Sequence, residues 1–127
     1  MELTGLTVLV VDDEDAVRRM ISRSLDRNGL ITAQASSVSD AIEKIDAAHF
    51  DLVITDMNMP GGSGSELIAY LTLQHPTTAT VMVSGLGDPV LGDLTTSLGG
   101  DVFIAKPFDE TQLIEAVATA ITRHRGR

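Results

Sequence analysis

The sequence predicts an α/β fold: a doubly wound, parallel, five-stranded sheet in the order 2-1-3-4-5, with helices on both faces. Three observations carry this prediction. Short apolar runs rich in β-branched residues recur along the chain. They are continuous rather than alternating, as strands buried on both faces require. Between them lie segments whose apolar residues return at helical spacing, joined by short loops, so each strand, helix and strand reads as one crossover unit.

The first strand is read at residues 6–11 (Leu-Thr-Val-Leu-Val-Val) and runs straight into Asp12-Asp13-Glu14-Asp15. A helix follows, with Val17, Met20, Ile21, Ser24 and Leu25 at helical spacing, and stops at Asn28-Gly29. Both of those residues tolerate the left-handed conformation that ends helices. Residues 30–35 are the second strand. Ser37 is placed to cap the next helix, with Asp40 three residues on, and Ala41, Ile42, Ile45 and Ala48 are expected to face inward. Residues 51–56 form the third strand.

The pattern Ser63-x-x-Glu66 resembles a capping box opening a third helix, with Leu67, Ile68 and Leu71 apolar and His75-Pro76 ending it. Residues 80–83 are a fourth buried strand, ending at Ser84-Gly85. Asp88-Pro89 starts a fourth helix over residues 90–98, which is poor in helix formers because it holds Gly92, Thr95 and Thr96. Residues 102–105 are the last strand, running into Lys106-Pro107. Asp109 caps the fifth helix with Gln112 three on, and Leu113, Ala116, Val117, Ala120 and Ile121 make its apolar stripe. Strands this few and short fit one flavodoxin-like sheet.

The stretch Leu52-Val53-Ile54-Thr55-Asp56 organises the chemistry. It delivers Asp56 to the C-terminal end of a central strand, the edge where open α/β sheets bind ligands. In the predicted order the first and third strands are neighbours, so Asp12, Asp13 and Asp56 emerge at one crevice. Ser84 and Lys106 end the next two strands along the same edge. Three close carboxylates repel one another, and a divalent cation relieves that. Magnesium takes hard oxygen ligands and is commonly held by one or two carboxylates plus phosphate oxygens. Asp13 and Asp56 are the preferred direct ligands, Asp12 acts directly or through water, and a loop carbonyl at Asn58 is placed to complete the set. Asp56 is the best nucleophile candidate for covalent phosphoryl transfer, with Lys106 and Ser84 placed to meet the phosphoryl oxygens. Taken singly, the Asp pair reads as helix capping, Ser84 as a turn residue and Lys106 as a surface lysine. Their convergence on one edge favours the chemical reading.

Composition narrows the classes. The chain has 127 residues, 43% of them hydrophobic, with no cysteine and a net charge of −9. That is one ordinary domain able to bury a core, without disulfides or thiolate metal sites. Arg18, Arg19, Arg23 and Arg27 cluster in the first helix, Arg123, Arg125 and Arg127 at the end, and between Lys44 and Arg123 the only Lys or Arg is Lys106. So acidic a domain is not expected to bind nucleic acid directly. The arginines at 19, 23 and 27 read as a solvated helix face. No apolar run approaches the ~20 residues of a membrane span, and no basic leader precedes Glu2, so a cytoplasmic protein is expected.

At these residues the chain resembles the response-regulator receiver domain of two-component signalling. The match covers residues 5–122. It rests on Val10-Val11-Asp12-Asp13-Glu14, on the run from Asp51 through Asp56 to Met59-Pro60, on Val83-Ser84-Gly85 and on Phe103-Ile104-Ala105-Lys106-Pro107-Phe108. Any one piece is weak; the ordered set at these gaps is specific. The resemblance implies a domain over residues 1–122, with 123–127 a basic tail or the start of a linker. It implies Asp56 as phospho-acceptor, magnesium on Asp12, Asp13, Asp56 and the Asn58 carbonyl, and Ser84 and Lys106 on the phosphoryl group. It also implies a cis Lys106–Pro107 bond and Phe103 as the switch aromatic that follows Ser84 inward. The phosphoryl donor would be a sensor histidine kinase or a phosphotransfer protein. The switched surface of fourth helix, last strand and fifth helix would control an effector or output domain, or a phosphorylation-dependent homodimer. Such a domain is a switch that assists its own phosphorylation and dephosphorylation, not an enzyme on other substrates.

Two departures stand out. The family's Met-Asp-Gly after Met-Pro is Gly62-Ser63-Gly64 here, so that loop is expected to lack an anchor and to be mobile. The weak fourth helix suggests that residues 86–100 are loosely held before activation and order on phosphorylation or on meeting a partner. Among alternatives, a flavodoxin needs a hydroxyl- and amide-rich loop for its flavin phosphate, where this chain has four acids, and it has one Tyr and no Trp to stack on a flavin. A phosphatase with an aspartate nucleophile wants a second Asp at the position of Asn58. The remaining rival is an interaction module that keeps the fold without phosphorylation.

Overall fold

A computed structural model describes residues 3–85 and 99–126. In chain order its elements are β1 (Thr7–Val11), α1 (Asp15–Arg27), β2 (Ile31–Ala35), α2 (Val38–Ala47), β3 (Leu52–Asp56), the short β4 (Asn58–Met59) and β5 (Gly62–Ser63), α3 (Gly64–Gln74), β6 (Ala79–Ser84), β7 (Val102–Ala105) and α4 (Glu110–Arg125). The main sheet is wholly parallel, in the order β2-β1-β3-β6-β7. Counting only its strands, that is the predicted 2-1-3-4-5. The expected helix at 90–98 and the expected ordering of residues 86–98 lie outside the described residues.

Successive residues of the central strands feed opposite faces, as a doubly covered sheet requires. Val8, Val10, Leu52 and Ile54 pack under α1 and α4, while Leu9, Val11 and Val53 pack under α2 and α3. Every residue of β3 and of β6 is buried. The predicted stripe of α4 (Leu113, Ala116, Val117, Ala120, Ile121) is the set that the helix buries. The helix starts follow the predicted chemistry. Ser37 Oγ accepts from Asp40 N–H, Ser63 Oγ accepts from Glu66 N–H, and Asp109 with Gln112 forms a reciprocal capping box.

Two apolar positions fall elsewhere than expected. Met20 is on the outer side of α1, 48% exposed, because Ser22 and Ser24 take inward places there. Ala48 is exposed because α2 stops at Ala47, and Ala48 is an extended cap residue with φ −153°. One methyl group gains too little on burial to draw the helix a residue further.

The end of the sheet opposite the acids is closed by the same device twice. Asp51, just before β3, accepts from Thr7 N–H at 2.8 Å, and its own N–H donates to Thr7 Oγ1 at 3.2 Å. Asp101, just before β7, accepts from Thr80 N–H at 2.9 Å, and its N–H donates to Thr80 Oγ1 at 3.0 Å. The last helix locks onto the second clasp. Arg123 Nη1 donates to Asp101 O at 3.1 Å, and His124 sets Nδ1 3.0 Å from Asp101 Oδ2 and Nε2 2.7 Å from Pro76 O. Structure is fixed at this end, which leaves the other free for chemistry.

Candidate functional site

The parallel register brings the acids together. Val11 pairs with Thr55 across β1 and β3, so Asp12 and Asp56 leave adjacent strands at the same height. Asp56 pairs with Val83 across β3 and β6, and Ser84 pairs with Ala105 across β6 and β7. Asp12, Asp13 and Asp56 each offer a carboxylate oxygen, all within 4.8 Å of one another, with Asp12 and Asp56 buried and Asp13 exposed. Among the described residues this is the one cluster of its kind. Carboxylate oxygens are the hard donors that divalent cations such as magnesium take, so the donor set fits.

Lys106 completes the group. It directly follows β7, and the bond from it to Pro107 is cis. Its N–H donates to Ser84 O at 2.8 Å, and its Nζ stands 3.5 Å from Asp12 Oδ2 and 3.3 Å from Asp56 Oδ1. Burial pushes the Asp56 carboxyl above its usual value; Lys106 pulls it back, the Asp12 charge adds to the rise, and the net direction is up. For Lys106 burial works downward, but attraction to Asp12 and Asp56 outweighs it and holds the ammonium above its usual value. A carboxylate made costly by burial and a lysine held charged beside it form a poised pair.

Asp12 is held on every side. Its N–H donates to Ala35 O at 3.2 Å, its Oδ1 accepts from Glu14 N–H at 2.9 Å, and its carbonyl accepts from Arg18 Nη1 at 2.9 Å. Ser84 is buried at the end of β6, one residue beyond the partner of Asp56. Asn58 is exposed in β4, opposite Ser63. Phe103 sits opposite Met82 on β7, half-buried, on the wall of an open cavity of about 570 Å³ that Pro107, Phe108 and Gln112 also line.

The loop after Asp56 is anchored, contrary to the sequence expectation. Met57 N–H donates to Val83 O and Gly64 N–H to Met57 O, each at 2.9 Å, and β4 and β5 close a small hairpin. Met59 is buried in the core under α2 and α3. A Cβ at Gly62 would lie 3.0 Å from Val38 Cγ2, so Val38 occupies the room a side chain at 62 would need. A Cβ at Gly64 would lie 2.4 Å from Asp56 O. The glycines are what let the hairpin close onto the acid.

Sequence reasoning missed the part played by Arg18, which it grouped with its neighbours by charge. Arg19, Arg23 and Arg27 are exposed, as expected of a solvated face, and Arg27 reaches across to Glu110. Arg18 is not part of that face: its side chain is 11% exposed. The only available signal was its place one turn into the helix that follows the acids.

The family model described as the response regulator receiver domain matches residues 8–118. The chain belongs to that family. Receiver domains of two-component response regulators are signalling switches, and this receiver is similar to several known proteins. It is 37% identical over 113 residues to the response regulator protein PilR of Pseudomonas aeruginosa, covering 89% of this chain and 25% of that protein. It is 34% identical over 119 residues to the transcriptional regulatory protein FixJ of Azorhizobium caulinodans, covering 94% of this chain and 56% of that one. The receiver thus spans about a quarter to about half the length of these curated relatives. Among solved structures, the chemotaxis response regulator CheY4 of Vibrio cholerae superposes with a TM-score of 0.85 at 28% identity, over 91% of this chain and 98% of that one. NtrX from Brucella abortus gives 0.89 at 29% identity, over 96% of this receiver and 28% of that chain. Among the described residues no helix is long and apolar enough to cross a membrane.

Proposed function

We infer that this receiver accepts a phosphoryl group on Asp56 from a phosphohistidine of a sensor histidine kinase or phosphotransfer protein, in the cytoplasm and with Mg2+. The observation that carries this reading is the placement of Lys106 Nζ 3.3 Å from Asp56 Oδ1, beside the acid trio. An Asp56 oxygen attacks phosphorus, the bond from phosphorus to the donor's imidazole nitrogen breaks, and that nitrogen takes a proton from solvent. Lys106 pairs with a phosphoryl oxygen as charge builds on it, and the Ser84 hydroxyl donates to another.

Asp13 and Asp56 would hold the cation, with the Asn58 carbonyl as a further ligand and Asp12 bound directly or through water. The tight bonding of Asp12 and the exposure of Asp13 favour that division. Bound there, Mg2+ neutralises the charge that the acids and the phosphoryl oxygens share. After transfer Lys106 has a new anion to pair with, and Ser84 and Phe103 shift together toward it. The cavity beside Phe103 lies on the surface of β7 and α4, which would pass the change to an effector, to an output domain of the kind the longer relatives' names indicate, or to a second copy.

Intact mass spectrometry with a small phosphodonor tests this. One added phosphoryl group is expected, lost in Asp56→Asn and lost on chelation of the metal. No adduct, together with no binding of the beryllofluoride mimic, would leave a receiver fold used as an interaction module without phosphorylation.

A further inference from the structure

We propose that Arg18 is a positioning residue for the acidic pocket: a clasp that fixes the loop from Asp12 to Asp15 and so presets the cation ligands. Its planar fork meets three acceptors in three places. Nη1 donates to the Asp12 carbonyl at 2.9 Å, Nε donates to Gln34 Oε1 on β2 at 3.0 Å, and Nη2 meets Asp15 Oδ1 at 2.7 Å. β2 pairs with β1 on the side away from β3, so the loop is tied to the edge of the sheet as well as to its own helix.

The loop needs such a tie. The trio repels itself. The usual fastening at a helix start is also missing here: Glu14, the N-cap residue of α1, makes no side-chain cap bond, whereas Ser37, Ser63 and Asp109 supply one for α2, α3 and α4. Arg18 N–H donates to Glu14 O at 3.0 Å, and the side chain then reaches back over that turn.

Arg18 fixes the loop without neutralising the pocket. Lys106 stands against Asp12 and Asp56 directly, but the Arg18 guanidinium is turned to a main-chain carbonyl, an amide and Asp15. The two basic residues therefore divide the work: Lys106 is the charge at the reacting oxygens and Arg18 the brace behind them. A lysine at 18 would keep the charge but could not span the three acceptors.

This role presupposes the cation site inferred above, and the sign of one measurement separates the two. By charge alone, deleting a positive group near a cation site tightens cation binding. Deleting a brace loosens it, typically by 10–100-fold for groups that orient metal ligands. Isothermal titration of the wild-type domain with magnesium chloride, without phosphodonor, is compared with Arg18→Ala, Arg18→Lys, Arg19→Ala and Gln34→Leu, each checked by circular dichroism to be folded at the titration temperature. Arg18→Ala and Arg18→Lys are expected to bind roughly tenfold more weakly. Gln34→Leu, with every charge kept, weakens binding by a smaller factor, and Arg19→Ala binds like wild type or slightly tighter. Wild-type binding with equal or tighter binding by Arg18→Ala overturns the brace and leaves the cation site standing. Rescue by Arg18→Lys would show that the three-acceptor fork is not needed and also overturns it. No binding by wild type overturns the cation site and the brace together. If Arg18→Ala does not fold, Gln34→Leu decides, and unchanged affinity there overturns the proposal.

Discussion

Replacing Gly64 by alanine adds one methyl group directly behind the proposed phospho-acceptor. The new Cβ would lie 2.4 Å from Asp56 O, 3.1 Å from Met57 Cα and 3.2 Å from Asp56 C, where ordinary contact begins near 3.4 Å. All three atoms are backbone, so no side chain can swing aside. Either the start of α3 or the end of β3 must retreat by about 1 Å, in an interior packed too densely to absorb it freely. Overpacking of this kind costs roughly 1–3 kcal/mol. Retreat also stretches the bond from Gly64 N–H to Met57 O, worth about 1 kcal/mol. Alanine gains about 0.5–1 kcal/mol over glycine in a helix, which offsets part of this but does not reverse it. The net expectation is a loss of about 2 kcal/mol, read as a lower urea midpoint with an unchanged slope. The functional effect is larger than the stability effect suggests, because a 1 Å misplacement of a reacting group can cost about a hundredfold in rate. Acylphosphate formation on Asp56, followed by intact mass at a temperature where the variant is folded, should therefore slow about 10- to 100-fold. Gly126→Ala is the control: its Cβ meets Arg123 O at an ordinary 3.5 Å, and stability should stay within about 0.5 kcal/mol. A Gly64→Ala variant as stable and as fast as wild type would show that the hairpin yields freely and does not position the acid.

Other perturbations separate stability from chemistry. Asp56→Asn should stabilise the metal-free domain at pH 7. The folded carboxyl lies above its unfolded value, so its contribution to stability is complete below the unfolded value and is lost as pH rises through the folded one. Asparagine escapes that loss, and its advantage in urea unfolding should shrink as pH falls into the carboxylate range; a destabilised variant at pH 7 would contradict the direction. Lys106→Met removes the charge facing Asp12 and Asp56, and single-turnover acylphosphate formation should drop roughly a hundredfold while magnesium binding is kept or tightened. Asp101→Ala strips the acceptor from the buried Thr80 N–H and one of two partners from His124. It should cost about 3 kcal/mol in urea unfolding yet leave acylphosphate formation intact, because it acts at the opposite end of the sheet.

Much of this was legible because a parallel sheet turns one-dimensional order into a shared edge. Once residues 51–56 and 102–105 read as parallel strands of one sheet, Asp56 and Lys106 had to leave it on the same side, and the observed register places them there. The apolar stripe of α4 and the caps at Ser37 and Asp109 were equally plain, since each depends only on residues three or four apart. What could not be read was what depends on two elements meeting. Gly62 looks like a lost anchor until Val38, from α2, is seen filling its place. Asp51 looks like a strand residue, and Asp101 draws no notice, until Thr7 and Thr80 arrive from neighbouring strands to close the two clasps.

The acids illustrate the same division within a single site. Sequence order was enough to gather three carboxylates, but not to say which are free to bind a ligand. Asp12 has its N–H, its carbonyl and both carboxylate oxygens engaged, by Ala35, Arg18, Glu14 and Lys106, while Asp13, its immediate neighbour, is exposed. Adjacent residues of identical chemistry thus take different parts because Asp12 is buried just past the end of β1 and Asp13 lies in the exposed bend beyond it: one becomes framework and the other meets solvent. The framework acid raises the cost of ionising Asp56, and the exposed one is available to whatever lowers it. Under the function proposed above, a pocket built this way is unfavourable to itself until a cation and a phosphoryl group arrive. The proposed switch would then have its two states at this end of the sheet, while the Asp–Thr clasps brace the other.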